Sequence, residues 1–80
     1  MIQLYNKESC PYCQKVIRAF GSLGLVEGKD FEIISAETNS PGREKVIQMG
    51  GKSQVPFLVH GDTKMYESDD IINYVRNWKK

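Results

Sequence analysis

The run Cys10-Pro11-Tyr12-Cys13 holds both cysteines of the chain. A pair at this spacing can cycle between dithiol and disulfide by attack of a thiolate on sulfur, so the chemistry on offer is thiol–disulfide exchange. Position sharpens that reading. A strand ends just before Cys10, and Pro11 suits the first position of a helix, where its missing N–H costs nothing. Cys10 then becomes the N-cap residue, whose side chain accepts from the backbone N–H of Tyr12 or Cys13. A helix start is electropositive and pushes a cysteine toward its thiolate. Cys13 shares a helix face with Val16, Ile17 and Phe20, so it is expected to be buried and harder to ionise. The pair divides into an outer nucleophile, Cys10, and an inner resolving thiol, Cys13. Lys7, three residues before Cys10, offers a positive charge nearby.

Other uses of two cysteines fit less well. A disulfide closing so small a loop stabilises little. Zinc normally takes four protein ligands, and the single histidine, His60, falls in a predicted turn. An iron–sulfur cluster shared between two copies, or a reductant of the thioredoxin type served by a flavoprotein reductase, are the rival readings.

The elements that must position the pair alternate between strand and helix periods. Ile2–Tyr5 reads as a strand, and Pro11 opens a helix that Gly21 and Gly24 close. Phe31–Ile34 is a second strand. Asn39-Ser40-Pro41-Gly42 starts a second helix, with Ser40 as cap, carrying Val46, Ile47 and Met49 and stopping at Gly50-Gly51. Val55–Val59 is a third strand with Pro56 near its head. His60-Gly61-Asp62 turns into a fourth, Lys64–Tyr66. Ser68 is the expected N-cap of a last helix, with Asp69 and Asp70 in its first turn. Ile71, Ile72, Val75 and Trp78 line its inner face, and Tyr5 and Trp78 are expected in the core. The order β-α-β-α-β-β-α implies an α/β fold, a four-stranded mixed sheet with helices on both faces.

Composition bounds the rest. Eighty residues, 40% of them apolar, make one domain spanning residues 1–80. The formal net charge is +1, with no basic patch, which argues against nucleic acid or a membrane surface as partner. No apolar run is long enough to span a bilayer, and Met1–Tyr5 starts as a strand instead of a signal peptide. A cytoplasmic monomer is expected. In that compartment a close cysteine pair is more often catalytic or metal-binding than structural.

Cys10-Pro11-Tyr12-Cys13 after the first strand, Val55-Pro56 heading the third and the acidic start of the last helix together resemble the dithiol glutaredoxins over essentially the whole chain. The stretch Gln54–Phe57 through Tyr66–Ile71 is also similar to the N-terminal domain of glutathione S-transferases and of transferase-like bacterial glutaredoxins. The resemblance implies a thioredoxin-like fold and a redox enzyme with no bound cofactor. Glutathione would be its reducing co-substrate, and disulfide-containing or glutathionylated proteins its partners. It implies a cis bond before Pro56, with Val55 presenting its backbone to the cysteinyl part of glutathione. Glu67 and Ser68 would grip the γ-glutamyl end, with Asp69 the matching acidic residue in glutaredoxins, so either Glu67 or Asp69 could take the ammonium. Lys7, Lys52 and Gln54 match positions that meet the glycine carboxylate, and Tyr12 flanks the ligand. Many glutaredoxins carry two glycines where this chain has Tyr66-Glu67.

Overall fold

The computed structural model describes residues 1–79. In chain order the elements are β1 (Ile2–Asn6), α1 (Pro11–Ser22), β2 (Phe31–Ser35), α2 (Pro41–Gly50), β3 (Phe57–His60), β4 (Thr63–Met65) and α3 (Ser68–Lys79). The sheet runs β2-β1-β3-β4. β1 is parallel to β2 and antiparallel to β3, and β3 and β4 form an antiparallel hairpin. This is the thioredoxin-like α/β arrangement.

The period of two along the strands builds two cores. Ile2, Leu4, Phe31 and Leu58 face α1 and α3, meeting Val16, Phe20, Ile71 and Val75. Phe20 and Phe31 pack edge-to-face with centroids 5.0 Å apart. The alternate residues Tyr5, Phe57 and Val59 face the other way and meet Val46 of α2. The sheet is therefore covered on both sides, and the C-terminal end of β1 carries the chain directly into the start of α1.

Gly42 sits where α2 comes down onto the end of β2. A Cβ at this position would run into the backbone carbonyl of Ser35, so only glycine allows the approach. Gly51 ends α2 in the left-handed region at φ 86°.

Several boundaries depart from the sequence reading. β3 starts at Phe57 instead of Val55, because Pro56 has no N–H to give the ladder. β4 is Thr63–Met65, one residue earlier than expected, and His60 closes β3 instead of lying in the turn. Ser68 is the first helical residue of α3, not its cap: the carbonyl of Glu67 accepts the first helical hydrogen bond, from Ile71 at 2.9 Å. Ile47 lies on the outer side of α2. Trp78 is 44% exposed, not core. Its ring packs edge-to-face on that of His60, the last residue of β3, with centroids 5.3 Å apart. Tyr5 is buried, as expected.

Candidate active site

Cys10 occupies the N-cap of α1 in extended backbone geometry, at φ −87° and ψ 115°. Its sulfur accepts from the Cys13 N–H at 3.2 Å. Its own N–H donates to the Lys7 carbonyl at 3.0 Å, and its carbonyl accepts from Gln14 at 3.1 Å. The half-buried sulfur thus sits against a free helical donor, with one side open.

Cys13 is the opposite case. It has no exposed surface. Burial pushes its thiol up to about 12, and its hydrogen bond with Cys10 adds to the rise, against weaker opposing pulls from the Lys7 backbone and the Arg43 charge. Both cysteines are free thiols. One sulfur is therefore a presented hydrogen-bond acceptor, and the other keeps its proton beneath it.

The facing wall comes from the turn before β3. The Val55–Pro56 peptide is cis, and Pro56 is buried. The Val55 carbonyl lies 3.9 Å from the Cys10 sulfur, within reach of a weak S–H donor.

Beside this wall runs an open groove of about 630 Å³, lined by Tyr12, Lys15, Gln54, Val55, Pro56, Tyr66 and the start of α3 from Glu67 to Asp70. Tyr66 fixes its floor. The Tyr66 ring packs on Phe57 at 4.6 Å. Its hydroxyl accepts from the Lys52 N–H at 3.0 Å and has the Lys52 and Val46 carbonyls at 2.9 and 3.3 Å as acceptors for its one proton. The connection from β4 to α3 is thereby pinned to the end of α2. Glu67 accepts a long hydrogen bond, 3.5 Å, from the Gln54 amide. Ser68 is 9% exposed. Asp69 pairs with Lys15 across the groove, at 2.7 Å.

Of the residues expected from sequence to meet a ligand, Tyr12, Gln54, Val55, Pro56, Glu67, Ser68 and Asp69 gather along this groove. Lys7 and Lys52 do not line it. The Lys7 ammonium is 3.5 Å from the Thr38 hydroxyl, so Lys7 reaches the cysteines through its backbone. The Lys52 ammonium lies over the Tyr66 ring at 5.6 Å. Sequence reasoning missed Lys15 and Arg43, and it read Tyr66 as a strand end and as a departure from the glycine pair of many glutaredoxins, without a part in shaping the site. Lys15 shares the outer face of α1 with Pro11 at i, i+4, a spacing that could have flagged it. Arg43 ties the loop after β2 to the loop before Val55, donating to the Ala36 carbonyl at 3.0 Å and to the Ser53 hydroxyl at 3.1 Å. No local signal announces that role. Among the described residues, no group of three or more His, Cys, Asp or Glu is placed to hold a metal ion, and no helix is long and apolar enough to cross a membrane.

Residues 4–78 match the family described as glutathione S-transferase, N-terminal domain. The chain is also similar to Glutaredoxin 3 of Escherichia coli (strain K12), at 31% identity over 70 residues, covering 88% of this chain and 80% of that protein. The chain belongs to the family of glutaredoxins and glutathione S-transferase N-terminal domains. As a glutaredoxin-like domain it is a thiol oxidoreductase. Solved structures share the glutaredoxin fold at lower identity. A diazinon-metabolizing glutathione S-transferase from the silkworm, Bombyx mori, superposes with a TM-score of 0.82 at 20% identity. The match covers 100% of this chain but only 38% of that one. A buckwheat glutaredoxin–glutathione complex superposes at 0.72 and 23% identity, covering 98% of this chain and 70% of that one.

Proposed function

We propose that this glutaredoxin-like domain reduces protein–glutathione mixed disulfides and protein disulfides at the expense of glutathione. The observation that carries the reading is the placement of the Cys10 sulfur. It lies between a helical N–H donor at 3.2 Å and the Val55 carbonyl at 3.9 Å, beside a groove walled by Pro56, Glu67 and Ser68.

In the first step the Cys10 thiolate attacks the glutathione sulfur of a mixed disulfide. The Cys10–S–SG bond forms, and the protein thiolate leaves and takes a proton from water. A second glutathione thiolate then attacks that bond, giving oxidised glutathione and restoring Cys10. With a protein disulfide, Cys13 loses its proton as it attacks the Cys10-linked intermediate, and the Cys10–Cys13 disulfide is reduced by two glutathione molecules. Couples of this type lie at roughly −200 to −230 mV, within reach of a reduced glutathione pool. No bound cofactor is required, and the chain acts as a single monomeric domain.

The groove supplies what the tripeptide needs. Val55 offers backbone to its cysteinyl part, as an added strand would. The start of α3 offers N–H groups and the Ser68 hydroxyl to the γ-glutamyl carboxylate. Glu67 and Asp69 offer carboxylates to its ammonium. The relative crystallised as a buckwheat glutaredoxin–glutathione complex supports this choice of ligand.

The test is reduction of a glutathionylated peptide by glutathione, with glutathione reductase and NADPH as the readout. The rate is expected to saturate with glutathione, and the Glu67→Ala/Ser68→Ala variant to need about tenfold more, or ~1.4 kcal/mol. Turnover that depends on a flavoprotein thioredoxin reductase and ignores glutathione would overturn the proposal.

A further inference from the structure

The ion pair between Lys15 and Asp69 is the one salt bridge among the described residues, and it lies across the groove. Lys15 comes from the outer face of α1, one turn beyond Pro11, and Asp69 from the first turn of α3. Both are exposed, with 47% and 78% of their side chains open to solvent. An exposed pair of this kind contributes little to stability, so it is poorly explained as a staple between the helices. The packing of Val16 and Phe20 against Ile71 and Val75 already does that work.

What the pair does provide is an ammonium and a carboxylate 2.7 Å apart in the lining of a binding groove. That is the mirror image of an amino-acid head group, which carries the same two charges on one carbon. The groove's other charged groups, Glu67 and Asp70, are both acidic. Lys15 is therefore the only cation in the lining able to meet a ligand carboxylate as a full charge.

We propose that Lys15 is a specificity-determining residue that recognises a zwitterionic amino-acid head by exchange of ion pairs. Lys15 and Asp69 hold each other across 2.7 Å. When the head group enters, its ammonium takes over Asp69 and its carboxylate takes over Lys15, so one pair becomes two and no charge is left alone. The exchange rests on the glutathione reading above, since the γ-glutamyl end of glutathione is such a head group. It goes beyond that reading by giving Asp69 a paired partner on α1. Because the pair being broken is solvent-exposed, it opposes binding only weakly.

The experiment compares three thiols as reductants of a glutathionylated peptide. Glutathione carries both charges. Its 4-aminobutyryl-cysteinyl-glycine analogue keeps the ammonium and lacks the carboxylate, and the glutaryl analogue keeps the carboxylate and lacks the ammonium. Lys15→Gln is expected to raise KM about fourfold (~0.8 kcal/mol) for glutathione and the glutaryl analogue. It should leave KM for the 4-aminobutyryl analogue within error. Asp69→Asn should show the reverse pattern, penalising the two ligands that carry the ammonium. In each case kcat should fall less than KM rises, and the melting temperature should stay put, since both side chains are exposed. Equal penalties on all three thiols, or none on any, would overturn the exchange. If wild type fails to saturate with glutathione at all, the glutathione reading falls first and takes this inference with it. Saturable wild type with charge-blind variants removes only the exchange.

Discussion

The starts of α1 and α2 share three hydrogen-bond lengths to a tenth of an ångström, and only one of them carries a thiol. In α1 the Cys10 N–H donates to the carbonyl three residues back at 3.0 Å, Pro11 follows, and the cap sulfur accepts from the N–H of Cys13 at 3.2 Å. In α2 the Ser40 N–H donates to Glu37 at 3.0 Å, Pro41 follows, and the cap oxygen accepts from Arg43 at 3.2 Å. Gln14 and Glu44 close the first helical turns at 3.1 Å in each. The backbone device is the same orphan-donor cap. What separates them is the cap atom and what faces it. Sulfur at the first start lies beside Val55 and the groove. The second start is pressed onto the end of β2, with buried Gly42 in the place that exposed Tyr12 holds in α1. On the proposed function, one changed atom and an open outer side are what turn a helix cap into a redox centre.

The comparison can be broken most severely with Cys10→Ser, which gives α1 the cap atom of α2. Reduction of a glutathionylated peptide is expected to drop at least ~10³-fold, because a neutral hydroxyl is not a nucleophile toward disulfides. The melting temperature should move by no more than a few degrees, because serine is itself a good cap. Next comes Gly42→Ala. The added methyl meets the Ser35 carbonyl, and the loss in a denaturant titration should be about 2–3 kcal/mol. Ser40→Ala removes only the oxygen cap. It should cost about 1 kcal/mol, or roughly 4–8 °C in melting temperature. Turnover should persist below the melting range. A large loss of turnover there would mean the α2 start does more than hold structure.

The smallest effect concerns pH. The Cys13 thiol is raised in the folded state, from 9.0 to about 12, by burial and by its bond to Cys10. A group that holds its proton more tightly when folded stabilises the fold fully below its unfolded pKa, and that stability is lost as pH rises through the folded value. The reduced protein should therefore lose stability between about pH 9 and 12 through Cys13. Tyr5, raised by burial and by Glu32, adds to the loss in the same direction. Cys13→Ala should flatten the curve in that window, as measured by urea titration of the reduced forms.

Much of this was legible in the residues. Pro11 after Cys10 and Pro41 after Ser40 announce both caps, because proline is tolerated at the first helical position and the cap residue is then fixed. The alternation of Ile2, Leu4 and Tyr5, and of Phe57, Leu58 and Val59, sets which side of the sheet each residue faces. The illegible parts are those set by tertiary approach. Ser68 looks like a cap by type, but the chain enters α3 one residue earlier because Tyr66 is pinned to Lys52, so Glu67 takes that position. Trp78 continues an apolar stripe, but its ring meets that of His60 at the end of β3 and stays 44% exposed. Lys15 is an ordinary surface lysine until α3 brings Asp69 to it. A period describes one element and says nothing of where its neighbour stops.

The unequal roles of the two sulfurs are tested most directly by trapping the first covalent adduct. Reduced Cys13→Ser and Cys10→Ser proteins would be mixed briefly with oxidised glutathione, quenched in acid and digested, and the glutathionyl group located by mass spectrometry. The roles assigned here require rapid modification of Cys10 in the first protein and almost none of Cys13 in the second. Comparable modification of Cys13 in the Cys10→Ser protein would contradict them.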